Sequence, residues 1–328
     1  MEPTRTSTLK VPGATLHHEI RGSGPTLLLI CGGVYDAAGY ASLAQQLADR
    51  YTVVTYDRRG NSRSPLDGPP ESQSIETHAD DAHRVLVEVG VTADDPAYVF
   101  GNSSGAIIGL ELAARHPEQV RVLVAHEPPL FELLPDRDRW RDVVRDVEEA
   151  FAKEGTGAAM GALSAAFAAS GDERAEGEQA GDEQAEDERA GSRQGEGARV
   201  GGARATEGDP SADGPERIPG GAQAPQGEPD PETMEMLARI ERNMEFFIGY
   251  EVPPFSRYTP DTVALGASSV RVVAAVGEES EGEPPYRAAA AVAGLLGTRP
   301  TAFPGDHGGF GSEPEAFAAR LHQVLSAT

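Results

Sequence analysis

Short apolar runs alternate with longer stretches in which apolar residues recur every three or four positions. The runs predict strands over Thr6–Val11, Thr15–Arg21, Thr26–Cys31, Thr52–Asp57, Ala97–Gly101, Arg121–His126, Val270–Val276 and Pro300–Phe303. The amphipathic stretches predict helices over Ala38–Asp49, Ile75–Val89, Ser104–Arg115, Tyr286–Leu296 and Glu313–Leu325. Strands that alternate with helices argue for an α/β domain with a largely parallel sheet, because parallel neighbours need a crossover between them. The first two runs lie close enough for an antiparallel hairpin.

One gap breaks this rhythm. More than a hundred residues separate the strand ending at His126 from the one starting at Val270. Parts of the gap read as helices, over Asp138–Glu154, Gly157–Ala169 and Glu232–Tyr250. A helical excursion between two strands of a parallel sheet forms a lid over the carboxyl ends of the strands, where such sheets bind ligands. The chain therefore divides into a first core segment (1–127), a helical cap (128–265) and a second core segment (266–328). Trp140, Phe151, Phe246 and Tyr250 of the cap either line an apolar pocket or pack the cap onto the core.

Within the cap the composition changes. From Gly171 to Glu232 there is no Leu, Met or aromatic residue, and 17 acidic residues stand against six arginines. The stretch opens with a near-repeat, GDERAEGEQA followed by GDEQAEDERA. Such a segment cannot bury enough apolar surface to offset its chain entropy, so a disordered insertion is expected over 171–232. What remains of the 328 residues suits a single catalytic-size domain.

Charge and composition narrow the function classes. A formal net charge of −25 repels phosphate backbones and anionic lipid, which disfavours nucleic-acid and peripheral-membrane roles. No apolar run reaches the roughly 20 residues of a membrane-spanning helix, and the first residues lack the apolar core of a secretory signal. The lone cysteine, Cys31, excludes an internal disulfide framework and a cysteine-rich metal site. These features predict a soluble cytoplasmic protein. No metal constellation, phosphate-binding glycine loop or nucleotide motif is present, so no cofactor is expected.

The chemistry-bearing motif is Gly101-Asn102-Ser103-Ser104-Gly105, set between an apolar strand and a helical pattern. A Gly-x-Ser-x-Gly in that context is a nucleophile elbow: side chains at Gly101 and Gly105 would collide with neighbouring backbone, and the turn exposes Ser103 Oγ beside a helix N-terminus. Three further segments accompany it. Leu27-Leu28-Leu29-Ile30-Cys31-Gly32-Gly33 is similar to a strand and oxyanion loop. Tyr56-Asp57-Arg58-Arg59-Gly60-Asn61-Ser62-Arg63-Ser64 is similar to an Asp-x-Arg-Gly-x-Gly-x-Ser loop. Pro304-Gly305-Asp306-His307-Gly308-Gly309-Phe310 is similar to a histidine loop. With these four landmarks in order, the chain resembles the α/β-hydrolase superfamily in its lidded, serine-nucleophile branch.

That resemblance implies Ser103 as nucleophile and His307 as general base. Of the eight histidines, His307 lies in a glycine-rich loop after the last strand. His126, at a strand end, reads either as a pocket wall or as a hydrogen-bonding group. The oxyanion donors are the backbone N–H groups of Ser104 and of Gly33 or Val34. Cys31 stands where many relatives have histidine and reads as packing, and the charges of Asp57, Arg58 and Arg59 as fasteners of their loop.

The third triad member is open. Most of the family carries an Asp in a Gly-x-x-Asp context after the strand that follows the lid, and here that context reads Gly277-Glu278-Glu279-Ser280. Glu127, at the carboxyl edge of the neighbouring strand, is the first candidate, with adjacent strands about 4.8 Å apart. Glu278, Glu279 and Glu281 are the alternatives. The implied activity is hydrolysis of a small-molecule carboxylic ester or lactone. The other readings are a carbon–carbon bond hydrolase or cyclase on an aromatic or polyketide-like substrate, and a non-catalytic ligand-binding protein on the same fold.

Overall fold

A computed structural model describes residues 4–170 and 231–327. Eight strands form one sheet in the order β1-β2-β4-β3-β5-β6-β7-β8. They are β1 (Arg5–Val11), β2 (Ala14–Arg21), β3 (Thr26–Ile30), β4 (Thr52–Tyr56), β5 (Ala97–Asn102), β6 (Val120–His126), β7 (Arg271–Gly277) and β8 (Thr301–Phe303). β1 and β2 make the expected antiparallel hairpin, and β2 also runs antiparallel to β4. All remaining pairs are parallel.

The apolar runs are continuous because both faces of the sheet are covered, and side chains then sort by alternation. Leu28, Ile30, Val99, Leu123 and Ala125 enter one core, while Leu27, Leu29, Phe100, Val122 and Val124 enter the other. Helices α1 (Ala41–Leu47), α2 (Ile75–Glu88) and α3 (Ser104–Arg115) occur in the first half of the chain. α2 packs against α3 on one face, and α1 against the C-terminal helix (Pro314–Ser326) on the other.

Between β6 and β7 lie α4 (Arg137–Glu154), α5 (156–170), α6 (Pro231–Phe246), a π-helical turn (Phe247–Glu251) and α7 (Val252–Ser256). α8 (Thr262–Ala267) packs on α3 before the chain re-enters the sheet at β7. After β7 come α9 (Pro284–Leu295), α10 (Gly309–Ser312) and α11 (Pro314–Ser326). Among the described residues no helix is long and apolar enough to cross a membrane.

Several boundaries differ from the expectation for identifiable reasons. The segment expected as one helix from Ala38 begins as a 3-10 turn, Ala37–Tyr40, capped by the Asp36 side chain on the Ala38 N–H. α9 starts at Pro284 rather than Tyr286, because proline at the first helical positions forfeits only N–H groups that have no partner there. The cap helix expected to run to Tyr250 widens into a π turn just before Pro253-Pro254, whose missing N–H groups interrupt the ladder. The insertion expected over 171–232 lies outside the described residues apart from its last two, Pro231 and Glu232, which open α6.

Trp140 anchors the cap. It is buried, stacks on Phe131 at 4.3 Å between ring centres, and leans on Phe167 of α5. Its indole N–H donates to Asp136 Oδ2 at 3.1 Å. Trp140→Ala removes these contacts together, so urea denaturation is expected to show a loss of about 3–5 kcal/mol.

Candidate active site

β5 delivers Ser103 into a turn that few residues adopt. Its backbone sits at φ 54°, ψ −127°, and α3 begins at the next residue. Holding a non-glycine residue there costs on the order of 1–3 kcal/mol. Neighbouring backbone makes the two glycines of the motif necessary: a Cβ at Gly105 would lie 2.1 Å from the Ile30 carbonyl oxygen, and one at Gly101 2.3 Å from that of Gly105. The Ser103 N–H donates to the His126 carbonyl at 2.9 Å, which ties the elbow to the end of β6.

Glu127 follows β6 and is also held at positive φ, 48°. Its N–H donates to the Ala275 carbonyl of β7, and its side chain is fully buried. Each carboxylate oxygen has a donor. Oε1 accepts from the Gly277 N–H at 2.8 Å and from the Ser280 hydroxyl, and Oε2 faces His307 Nδ1 at 2.7 Å. Burial alone would raise the Glu127 pKa, but the hydrogen bond to His307, the nearby imidazoles and Ser280 outweigh it and hold it below the ordinary value. A carboxylate at Nδ1 puts the proton on that nitrogen and leaves Nε2 with a free lone pair. Glu278, Glu279 and Glu281, the other candidate acids, are exposed.

The loop bearing His307 is fixed from below. Asn102 Nδ2 donates to the His307 carbonyl at 3.0 Å, so the residue before Ser103 also braces the histidine loop. The His307 side chain is 37% exposed and therefore accessible. Among the described residues no hydrogen bond joins Ser103 Oγ to His307, although their backbones meet through Asn102. Serine–histidine contacts of this kind tighten when substrate arrives.

Of the expected oxyanion donors, the Gly33 N–H lies on the elbow side and donates to Ser104 Oγ at 2.9 Å. Ser104 thus brings a hydroxyl as well as a backbone N–H to this corner. Cys31 is buried, its thiol donates to the Asp36 carbonyl, and burial pushes its pKa up. Asp57 accepts from the Ala37 and Arg63 N–H groups and from the Arg63 guanidinium, while Arg59 grips Asp81 through two bonds of 2.7 and 2.8 Å. Both fasten their loop, as expected.

His126 is no pocket wall. It is fully buried, its Nδ1 faces Asn102 Nδ2 at 3.0 Å, and its Nε2 has no partner. Burial lowers its pKa to about 4, with His307 adding to the effect against the opposing pull of Glu127. Among the described residues one set has ligand spacing for a metal, His83, His116 and Glu118, at the far end of α3 from the elbow. The two imidazoles stack at 3.9 Å and 12°, so their in-plane lone pairs run side by side instead of converging.

Ser280 and Asn102 are supporting residues that sequence reasoning did not identify in these roles, whereas His126 takes the hydrogen-bonding role that was one of its two readings. One signal pointed to Ser280: a hydroxyl in the family's usual acid position can donate to a carboxylate that has moved next door.

Two outcomes are expected from this geometry. Glu127→Gln should lower turnover of an activated ester by roughly 10⁴-fold through loss of the correct imidazole orientation. Adding Ser280→Asp to that variant should restore part of the rate, measured by steady-state kinetics of the single and double variants. As for pH, an unfolded His126 takes up a proton below its ordinary 6.5, whereas the folded one resists protonation down to about 4. Its contribution to stability is therefore complete above 6.5 and is lost as the pH falls toward 4, on the order of 3 kcal/mol between pH 7 and pH 4. Urea midpoints of His126→Gln across that range should fall less steeply than those of the wild type.

Comparison with known proteins bears on the fold. The sequence model described as alpha/beta hydrolase fold matches residues 25–215. The chain is 35% identical over 323 residues to the uncharacterized hydrolase YraK of Bacillus subtilis, covering 97% of this chain and 95% of that one. Its fold is similar to that of a thermophilic esterase from Thermogutta terrifontis, with a TM-score of 0.61 at 17% identity, covering 99% of this chain and 98% of the other. It is equally similar to the enol-lactonase from Burkholderia xenovorans LB400, with a TM-score of 0.61 at 16% identity, covering 98% and 100%. The chain belongs to the alpha/beta hydrolase fold family.

Proposed function

We propose that this protein is a serine hydrolase that cleaves a small-molecule carboxylic ester or lactone through an acyl-enzyme on Ser103. The observation that carries this reading is the buried Glu127 carboxylate facing His307 Nδ1 at 2.7 Å, beside a strained serine elbow. A carboxylate held in ionised form at that nitrogen makes Nε2 a base and stabilises the imidazolium once it forms. The esterase and the enol-lactonase of similar fold lend the substrate class its support.

Ser103 Oγ attacks the carbonyl carbon while His307 Nε2 takes its proton. The carbonyl oxygen becomes an oxyanion, accepted by the N–H groups of Ser104 and Gly33, the latter exchanging its Ser104 Oγ acceptor for the substrate. One such donor is worth about 3 kcal/mol of transition-state stabilisation. His307 then protonates the leaving alkoxide while the acyl group stays on Ser103; a water deprotonated by His307 attacks the acyl carbon, the bond to Oγ breaks, and His307 returns the proton to Ser103 Oγ as the acid departs. In a lactone the leaving alkoxide remains attached to the acyl chain, so a single hydroxy acid departs.

A fluorophosphonate probe is expected to modify Ser103, located by peptide mass spectrometry. Ser103→Ala should abolish labelling and lower turnover of p-nitrophenyl esters and simple lactones on the order of 10⁶-fold. Folded wild-type protein that takes up no probe and hydrolyses nothing in the panel would overturn the assignment.

A further inference from the structure

In the oxyanion loop, residues 31–34, Cys31 packs in the core, but the next two residues are glycines with no side chain to hold them. Gly33 sits at φ +55° with nothing within 4 Å of the place its Cβ would occupy. What fixes the loop is a set of bonds to its carbonyl oxygens. Arg58 Nη1 donates to the Cys31 carbonyl at 2.5 Å and Arg58 Nη2 to the Gly33 carbonyl at 2.7 Å. Asn243 Nδ2, from α6 of the cap, donates to the Val34 carbonyl at 2.9 Å. The Tyr35 N–H takes the remaining carbonyl, that of Gly32, at 3.2 Å.

Every peptide here is trans, so each carbonyl that is held one way turns the next residue's N–H the other way. Arg58 thereby sets the direction of the Gly32 and Val34 N–H groups, and Asn243 that of the Tyr35 N–H, which in turn holds the Gly32 carbonyl and with it the Gly33 N–H. Neither can reach a substrate through the loop it supports: Arg58 has a fully buried side chain and Asn243 is 1% exposed.

Both also belong to the cap contact. Arg58 Nη2 pairs at 2.6 Å with Glu251 in the π turn, and Glu251 Oε1 accepts from Asn61 Nδ2. One helical turn before Asn243, on the same face of α6, Arg239 Nε donates to Asp36 Oδ2 at 2.8 Å. Asn243 completes the contact by accepting from the Ser62 N–H at 2.8 Å.

We propose that Arg58 and Asn243 are positioning residues of the oxyanion hole, through which docking of the cap aligns the Gly33 and Val34 N–H groups. The inference rests on the hydrolase reading above. The cap in this scheme does more than bound a pocket: its seating and the alignment of the hole are one event. The pattern separates this role from simple structural support, because a misaligned hole weakens the transition state and leaves substrate binding intact.

The test uses Arg58→Lys and Asn243→Ala in the full chain. Lysine keeps the charge opposite Glu251 but loses the planar fork that spans two carbonyls. Asn243→Ala removes the bond to Val34 without leaving a buried charge. Each is expected to lower kcat on an activated ester roughly ten- to hundredfold, with KM within twofold. Each should also weaken a boronic-acid or trifluoromethyl-ketone inhibitor, whose oxygen occupies the hole, by a similar factor. Variants with near wild-type unfolding midpoints that keep kcat and inhibitor affinity overturn the proposal, as do variants in which KM carries the change. Wild-type labelling at Ser103 in the same experiment separates this failure from failure of the hydrolase reading itself.

Discussion

A buried carboxylate needs a donor at each of its oxygens, and the candidate site is organised around one that has them. Glu127 is inaccessible to solvent, yet a backbone N–H, a hydroxyl and an imidazole serve its two oxygens. Stripped of those donors, a charge in this position would take up a proton and lose its hold on His307. Three strands meet at this point. β6 leads into Glu127, β7 ends in the Gly277 N–H, and β8 leads into the histidine loop. The parallel order β5-β6-β7-β8 is what brings them side by side.

Two residues at this end of the sheet sit at uncommon positive φ, Ser103 and Glu127, and each has its N–H tied to the next strand across. The elbow donates to the end of β6, and the residue after β6 donates to β7. Strain at one strand end is thus braced by the neighbour. A rigid parallel sheet is a suitable platform, because its carboxyl ends lie at fixed spacing and cannot relax independently.

The strands were legible because apolar runs such as Leu27–Ile30 and Val122–Ala125 leave few alternatives, and the elbow because glycine, serine and a following helix pattern coincide. The helix expected from Tyr286 in fact begins at Pro284, a residue that suits the first helical positions but interrupts the apolar pattern. The choice among Glu127, Glu278 and Glu279 stayed open since strand ends can be placed from sequence but the burial of a side chain beyond them cannot. Arg58 was read as a fastener without its partner, for Glu251 lies 193 residues away and reaches it through a π turn set by two prolines. Long-range pairs of buried charge carry no periodic signature.

The turn after β7 supports the site twice: the Gly277 N–H and Ser280 hydroxyl hold the Glu127 carboxylate, and the Glu278 and Glu279 N–H groups donate to the Phe303 and Gly305 carbonyls that lead into the histidine loop. Glu278 and Glu279 project into solvent from that turn with no reacting partner to satisfy. With Glu127 proposed as the acid, the exposed side chains of Glu278 and Glu279 are left to drift in charge or to take new contacts while the backbone beneath them keeps its bonds, a latitude closed to any chain whose acid is anchored in that turn.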